Sequence, residues 1–315
     1  MIRPAARYSL LTLAALTTLL GYVGGASAAP VLGSTSAASA NGIDATPSNF
    51  TSAGFVSSGS FLNNSAGFGS GSSFANQFGV YAVRAFAEGK GSGSSQARFT
   101  NTLVNNTGVA QHYSLSFHIY SGSISTLLNS PTLLDPTEKL SVAYGASVKV
   151  NGNSVFNSGA VITRTGNVIT SSKSGQDLNA FDNGDDGIYG WNGASYGVDL
   201  GIVQAGSSIE VLAEVDDMAF ADVGIYSFTT PGGSGCYEGY SELPCLPVTT
   251  TGFKGSAQAF YGDPIDASGQ PTASLPGGVF NFSNTPANTV PEPTGLALVG
   301  LALGAAGVAG RRRRS

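Results

Sequence analysis

A strict two-residue alternation of apolar and polar side chains is the feature that most limits what this chain can fold into. It is clearest between residues 111 and 120, where one face of the segment is apolar and the other is polar. The apolar face carries Tyr113, Leu115, Phe117 and Ile119, and the polar face carries His112, Ser114, Ser116 and His118. This period is typical of a half-buried antiparallel strand. No long helical period precedes residue 294, so the sequence predicts an all-β fold.

Further strand signals predict an antiparallel β-sandwich with jelly-roll-like connections. Asn151-Gly152 joins two β-prone runs, and this dipeptide is the strongest short-range signal for a hairpin. Other strands are predicted at residues 78–87, 96–104, 160–170, 196–203, 207–215, 223–228 and 253–261. We place the β-sandwich domain at residues 78–263. A Ser/Gly/Asn-rich segment precedes it at 29–77, either irregular strand or disordered, and a Pro/Ser/Thr-rich spacer follows at 264–289.

The chain is poor in charge, because charged residues make up 10% of it against about 25% of an average soluble protein. Its net charge of −5 conceals an asymmetry, since Arg3, Arg7 and the run Arg311–Arg314 all lie in the terminal segments. Without these arginines, 8 Lys and Arg face 19 Asp and Glu, a net charge near −11. Such a surface disfavours nucleic acids and anionic membranes as partners, and it is compatible with divalent cations or neutral sugars.

The N-terminus has the three parts of a secretory signal peptide. A short basic region ends at Arg7, an apolar stretch runs over residues 10–20, and small residues follow. Ala26 and Ala28 fit the small-x-small cleavage rule, which makes Ala29 the expected first residue after signal peptidase cleavage. The alternative is an uncleaved membrane anchor, for which the apolar stretch is short. We therefore assign residues 1–28 to a signal peptide.

The C-terminus is the most specific part of the sequence. Val290-Pro291-Glu292-Pro293 comes first, an apolar Gly- and Ala-rich segment spans residues 294–310, and Arg311-Arg312-Arg313-Arg314 comes last. As a helix the apolar segment is about 25 Å long, a little short of a hydrocarbon core of about 30 Å. Arginine side chains can snorkel to cover the difference. The arginines would stay cytoplasmic, which places the rest of the chain outside the inner membrane.

This succession of motif, apolar helix and basic tail resembles the PEP-CTERM sorting domain. The resemblance covers Val290 to Ser315 and implies recognition by a transpeptidase-like membrane enzyme, exosortase, with cleavage near the Pro-Glu-Pro motif. It also implies a Gram-negative host that makes exopolysaccharide, a transient inner-membrane anchor, and a final place at the cell surface or outside the cell. An ordinary tail anchor is the alternative.

A second resemblance concerns the domain between the two ends. The stretches Phe99 to Gly108 and Tyr113 to Tyr120 are similar to a β-sandwich that is common among PEP-CTERM proteins. This resemblance implies a fold and no activity.

Cys236 and Cys245 are the only cysteines and lie close together in the sequence. An exported chain meets an oxidising compartment, so we expect a local disulfide between them. Two free thiols are the alternative. No further cysteine or nearby histidine could complete a zinc site.

The acidic segment from Asp182 to Gly187 is a candidate calcium loop. Asp182, Asp185 and Asp186 supply the carboxylate oxygens that Ca²⁺ prefers, and neighbouring glycines allow a tight loop. Glycines stand at two ligand positions of an EF-hand, which excludes that motif. Ca²⁺ could instead bind a β-sandwich loop with help from Asp199, Asp216 or Asp217. The alternative is a solvated acidic turn.

Aromatic residues follow this loop, namely Tyr189, Trp191 and Tyr196. Exposed aromatic rings beside polar groups can stack on sugar rings, so these residues are candidate ligand contacts. The alternative is that they pack in the core.

Catalytic patterns are weak. His112 and His118 lie about 20 Å apart along a strand and cannot share a metal ion. The sequence Gly193-Ala-Ser195-Tyr-Gly197 matches a nucleophile elbow, but both histidines are upstream and no helix follows. Glu210 and Glu214 are about 13 Å apart, too far for the carboxylate pair of a glycosidase.

The resemblance to PEP-CTERM proteins implies a non-enzymatic surface or matrix protein associated with exopolysaccharide, and the composition agrees with this expectation. A carbohydrate-binding module or adhesin, with or without Ca²⁺, is the first alternative. A secreted hydrolase with an unrecognised site is the second.

Overall fold

The computed structural model describes most of the chain between its two terminal segments. The described residues are 30–52, 54–77, 79, 81–129, 133–178, 180, 185–230, 234–238, 241–244, 247–262 and 280–287. They contain strands and no helix, and the recorded strand pairs are antiparallel. The predicted all-β class is therefore confirmed.

The strands are numbered in chain order. They are β1 (Val31–Ala40), β2 (Ile43–Asp44), β3 (Ser48–Ser52), β4 (Phe55–Asn64), β5 (Gly67–Asn76), β6 (Tyr81–Val104), β7 (Gln111–Ile119), β8 (Gly122–Leu128), β9 (Lys139–Val150), β10 (Asn153–Thr165), β11 (Val168–Gly175), β12 (Ile188–Trp191), β13 (Ala194–Val203), β14 (Ser208–Asp222), β15 (Ile225–Thr230), β16 (Ser234–Glu238), β17 (Ser241–Pro244), β18 (Val248–Phe253), β19 (Gly255–Gly262) and β20 (Phe280–Pro286).

Three sheets build the body of the protein. Sheet A has the order β2-β1-β6-β14-β9-β10-β11, and sheet B has the order β3-β4-β5-β6-β19-β8-β12. The long strand β6 belongs to both, because its first half pairs with β5 and β19 and its second half with β1 and β14. Sheet C consists of β13-β7-β20. Strands β15 and β18 form a separate two-stranded ribbon, and β16 pairs with β17.

The sequence of β6 explains how one strand serves two facing sheets. Alternate positions from Tyr81 to Phe99 are all buried, and in order they are Tyr81, Val83, Ala85, Ala87, Gly89, Gly91, Gly93, Ser95, Ala97 and Phe99. Side-chain volume thus falls to nothing at the middle of the strand and rises again. A Cβ atom on Gly91 would collide with the backbone of Phe68, and one on Gly93 with the backbone of Ser70. The sheets therefore touch backbone to backbone at this glycine bend (Gly89, Gly91 and Gly93) and separate towards both ends of β6.

The core fills the space where the sheets separate. Tyr144 of sheet A stacks on Trp191 with ring centres 4.2 Å apart, and Tyr261 of sheet B stacks on Tyr81 at 5.7 Å. The apolar face of β7 packs against this core, and Tyr113, Leu115, Phe117 and Ile119 are all buried as the alternation predicts.

The predicted hairpin is also confirmed. Strands β9 and β10 pair directly across Asn151-Gly152, with Val150 opposite Asn153. Both central residues have positive φ, 48° for Asn151 and 80° for Gly152. This is the conformation that a two-residue turn between twisted strands requires.

Both segments that flank the predicted domain, 29–77 and 264–289, contain strands that pair with it. The segment 29–77 is not separate from the domain, because β1 and β5 pair with β6 over most of their length. Its small Ser, Gly and Ala side chains suit the close contact between sheets. The spacer assigned to 264–289 contains β20, which pairs with β7 at the edge of sheet C. The predicted signal peptide at 1–28 and the predicted sorting tail from Val290 lie outside the described residues.

Candidate functional site

The acidic loop forms a turn in its described part. Asp182 lies outside the described residues, and Asp185 is exposed. A carboxylate oxygen of Asp186 accepts the N–H of Ile188 at 3.0 Å, and its carbonyl accepts a hydrogen bond from Arg164 at 3.0 Å. Where the chain is described, no three His, Cys, Asp or Glu side chains converge as metal ligands. The local geometry is that of a closed Asx turn.

The three further aspartates that could complete a calcium site point to different places. Asp199 lies on sheet C and contacts His112, with 3.0 Å between Oδ1 and Nε2. Asp216 and Asp217 are successive residues of β14, so one faces solvent and the other faces the core. Calcium binding remains a prediction for the part of the loop around Asp182.

Two of the three predicted sugar-stacking rings are buried. Trp191 has 0% of its surface exposed and Tyr189 has 2%. The indole N–H of Trp191 donates to the carbonyl of Tyr120 at 2.9 Å, and Lys173 covers the ring of Tyr189. Because neither ring is accessible from solution, both follow the alternative, which is packing in the core. Tyr196 is half-buried against Phe117, with ring centres 5.7 Å apart.

Residues 193–197 lie beside His118 of the neighbouring strand β7. Ser195 is directly opposite His118 across strands β13 and β7, and its Oγ is 3.0 Å from the histidine Nδ1. Burial lowers the pKa of His118, which favours the neutral imidazole. Ser195 lies within a regular strand rather than on a strand-to-helix turn, and no contact among the described residues links His118 to a carboxylate. The pair is a cross-strand hydrogen bond without the other parts of a nucleophile elbow.

The outer face of sheet B holds a groove that the sequence did not reveal. The groove has a volume of about 510 Å³ and crosses strands β5, β6, β19 and β8. Its lining combines aromatic rings with polar side chains, namely Ser70, Ser72, Arg84, Phe86, Ser123, Gln258 and Phe260 together with Ala85 and Ala259. This volume lies in the range of small-molecule sites.

Cross-strand register brings these residues together. Ser72, Arg84, Phe260 and Ser123 are consecutive neighbours across the four strands, and Ser70, Phe86 and Gln258 form the next row. The guanidinium of Arg84 lies 4.7 Å above the ring centre of Phe260. Phe86 packs edge-on against Phe68 at 5.3 Å, and Phe68 packs edge-on against Phe61 at 5.0 Å.

The groove carries little charge. Arg84 is the charged residue of the lining, and Glu88 lies two positions further along the same face of β6. Burial raises the pKa of Glu88, although the Asn129 amide donates to its carboxylate at 2.9 Å and acts in the opposite direction. The groove is our candidate functional site.

Comparison of this chain with protein families, with curated proteins and with solved structures finds no match. The part of the chain that is described includes no helix with the length and apolar character that a bilayer crossing requires. The predicted membrane segment at 294–310 lies outside that part, as does Cys245 of the predicted disulfide.

Proposed function

We propose that this chain is exported across the inner membrane of a Gram-negative bacterium, sorted through its C-terminal tail, and retained at the surface or in the extracellular matrix. Signal peptidase cleaves before Ala29, and an exosortase-type enzyme cleaves near Pro291-Glu292-Pro293. The role is non-enzymatic and associated with exopolysaccharide. The observation that carries this proposal is the succession of motif, apolar segment and arginine run at the C-terminus.

The body of the protein suits such a role. Antiparallel sheets sharing one core support a β-sandwich, which we propose to be jelly-roll-like. Low charge and abundant Ser and Thr leave neutral hydrogen-bonding groups on the outer faces. A disulfide between Cys236 and Cys245 would stabilise the pairing of β16 with β17, because an isolated pair of strands is marginally stable in water.

The position of β20 limits the reach of the proposed anchor. Pro286 is the last residue of β20, and the proposed membrane helix starts at Thr294. Eight residues span at most about 28 Å. While anchored, the domain would therefore hold the β20 edge of sheet C close to the membrane surface.

Export and sorting can be tested in a Gram-negative host with and without an exosortase-type enzyme. The full chain carries an epitope in the loop at Gly108, which is exposed and has open space around it. We expect the chain in the membrane fraction without the enzyme and in the surface or medium fraction with it.

Two variants sharpen that experiment. Replacing Arg311–Arg314 by glutamine should abolish enzyme-dependent release, because the cytoplasmic anchor charge is lost. The matched variant Arg98→Gln removes a surface arginine and should sort normally. Equal fractionation of the full chain with and without the enzyme contradicts the proposal.

A further inference from the structure

The groove on the outer face of sheet B presents polar side chains whose hydrogen-bonding groups have no partner among the described residues, although the guanidinium of Arg84 lies over the ring of Phe260. Within the described residues, Arg84 and Gln258 make no hydrogen bond or ion pair, and neither do the hydroxyl groups of Ser70, Ser72 and Ser123. A guanidinium brings five N–H donors in a fixed plane, and an amide brings two donors and an acceptor. These groups are available to a ligand rich in hydroxyl groups.

Aromatic rings lie between these polar groups. Phe86 and Phe260 are half-buried and sit on neighbouring strands, so each ring exposes part of its surface to the groove. Phe61 continues the aromatic row towards the edge of the sheet and is 62% exposed. Rings that alternate with hydrogen-bonding groups match a ligand whose rings have apolar faces and polar edges, which is the character of a pyranose.

The shape of the site favours a chain rather than a single sugar. The row from Ser72 to Ser123 crosses three inter-strand steps, which is about 14 Å. The groove lies on a sheet face and is partly open to solvent, so a polymer can enter from the side without threading its end.

Charge decides between a neutral and an acidic chain. Among the described residues that line the groove, Arg84 is the one charged side chain. The whole chain carries −5, and near −11 without its terminal arginines, which repels polyanions. Arg84 therefore acts as a hydrogen-bond donor to sugar oxygens rather than as the counter-ion of a uronate.

We propose that the outer-face groove of sheet B is a binding site for a neutral glycan chain, with Phe86 and Phe260 as apolar contacts and Arg84 and Gln258 as hydrogen-bonding groups. This inference deepens the proposed association with exopolysaccharide and rests on it for its biological setting. The site itself depends only on described residues of the sheet.

The test is calorimetric titration of the full chain, in mild detergent, with cellohexaose, mannohexaose and hexagalacturonate. We expect saturable binding of a neutral hexasaccharide and weaker binding of the acidic one. Phe260→Ala and Arg84→Gln should each weaken the neutral complex at least tenfold. The matched variants Phe220→Ala and Arg98→Gln lie on the outer face of sheet A and should bind as the parent chain does. Unfolding midpoints in urea show whether each variant is folded.

Three results overturn the assignment. They are the absence of saturable binding to both neutral probes, preferential binding of hexagalacturonate, and neutral binding that survives both groove substitutions in folded protein. The export proposal is judged separately, because it concerns processing in cells. Glycan binding without enzyme-dependent sorting would contradict the export proposal alone. Sorting without glycan binding would contradict the proposed binding site alone.

Discussion

Asp217 places an ionisable group inside the core. Only 1% of its surface is exposed, and neither carboxylate oxygen has a hydrogen-bond partner within the described residues. It faces Ser95 of β6, Tyr144 of β9 and Tyr261 of β19, none of which is a cation. Burial, and then the neighbouring Asp216, raise the pKa of Asp217 well above its ordinary value. The folded protein therefore holds this proton more tightly than the unfolded chain does.

This raised pKa predicts a stability that falls as the pH rises. The favourable contribution is complete below about pH 4, the ordinary Asp value, and is lost as the pH climbs towards the raised folded value. Asp217→Asn mimics the protonated acid, so it should match the parent protein near pH 4 and exceed its free energy of unfolding by more than about 1 kcal/mol near pH 8. Urea denaturation of the parent protein and the variant across this pH range measures the two free energies of unfolding. If the unfolding free energies of the two proteins changed in parallel with pH, Asp217 would not have a different pKa in the folded and unfolded states.

Trp191 is a structural residue, and its removal should cost stability. Its indole is fully buried, stacks on Tyr144 and donates to the Tyr120 carbonyl. Trp191→Ala should lower the free energy of unfolding by about 3–5 kcal/mol, measured by urea denaturation. Phe228→Ala, at a position of β15 that is 58% exposed, is a comparison at which little should change. A fully stable Trp191→Ala variant would contradict the buried position.

At the scale of elements, the glycine bend sets the distance between sheets A and B. The stretches Gly67 to Ser73 and Gly89 to Ser95 share the pattern G-x-G-S-G-S-S. They lie against each other in space, since a Cβ on Gly67 would meet Lys90 and one on Gly71 would meet Ser94. This short repeat is the sequence signal of the contact, and it can be read without a structure.

Gly93→Ala should therefore be strongly destabilising. The added methyl group would collide with the backbone of Ser70, which cannot rotate away. We expect a loss of more than about 3 kcal/mol in unfolding free energy, or failure to fold. Gly197→Ala is the matched control, because it lies on an exposed strand with open space around it, and its effect should stay within about 0.5 kcal/mol. Equal midpoints for the two variants would remove the glycine contact as a determinant of the fold.

Local pattern was enough for some elements and failed for others. The strand at 111–119 and the Asn151-Gly152 turn follow from alternation and turn chemistry alone. Strands predicted at 78–87 and 96–104 are two halves of β6, because the glycine-rich stretch between them stays extended instead of ending the strand. Buried and ligand-binding aromatics are the same residue types, so the burial of Trp191 depends on long-range pairing that one sequence does not show.

The same limit applies to the sites. Contact between Ser195 and His118 requires the register of β13 on β7. The groove requires residues from β5, β6, β19 and β8, which are far apart in the sequence and become neighbours only through sheet order. Such surfaces can be identified once the fold is known, and sequence motifs do not reveal them.

At the scale of the whole molecule, the segments proposed for sorting are distinct from the surface proposed for binding. The two terminal segments carry the basic residues that flank the apolar stretches, and the described body carries the groove. Removal of both ends takes away six arginines and makes the remaining protein more acidic. An acidic, low-charge body is expected to remain soluble among neutral polymers and to avoid nucleic acid.

The central claim is that both ends are processing signals, and the intact mass of the chain recovered outside host cells tests it most directly. We predict a species that begins at Ala29 and ends near Pro291-Glu292-Pro293, with none of the four terminal arginines. Recovery of a chain that retains both Met1 and Arg311–Arg314 would contradict the claim.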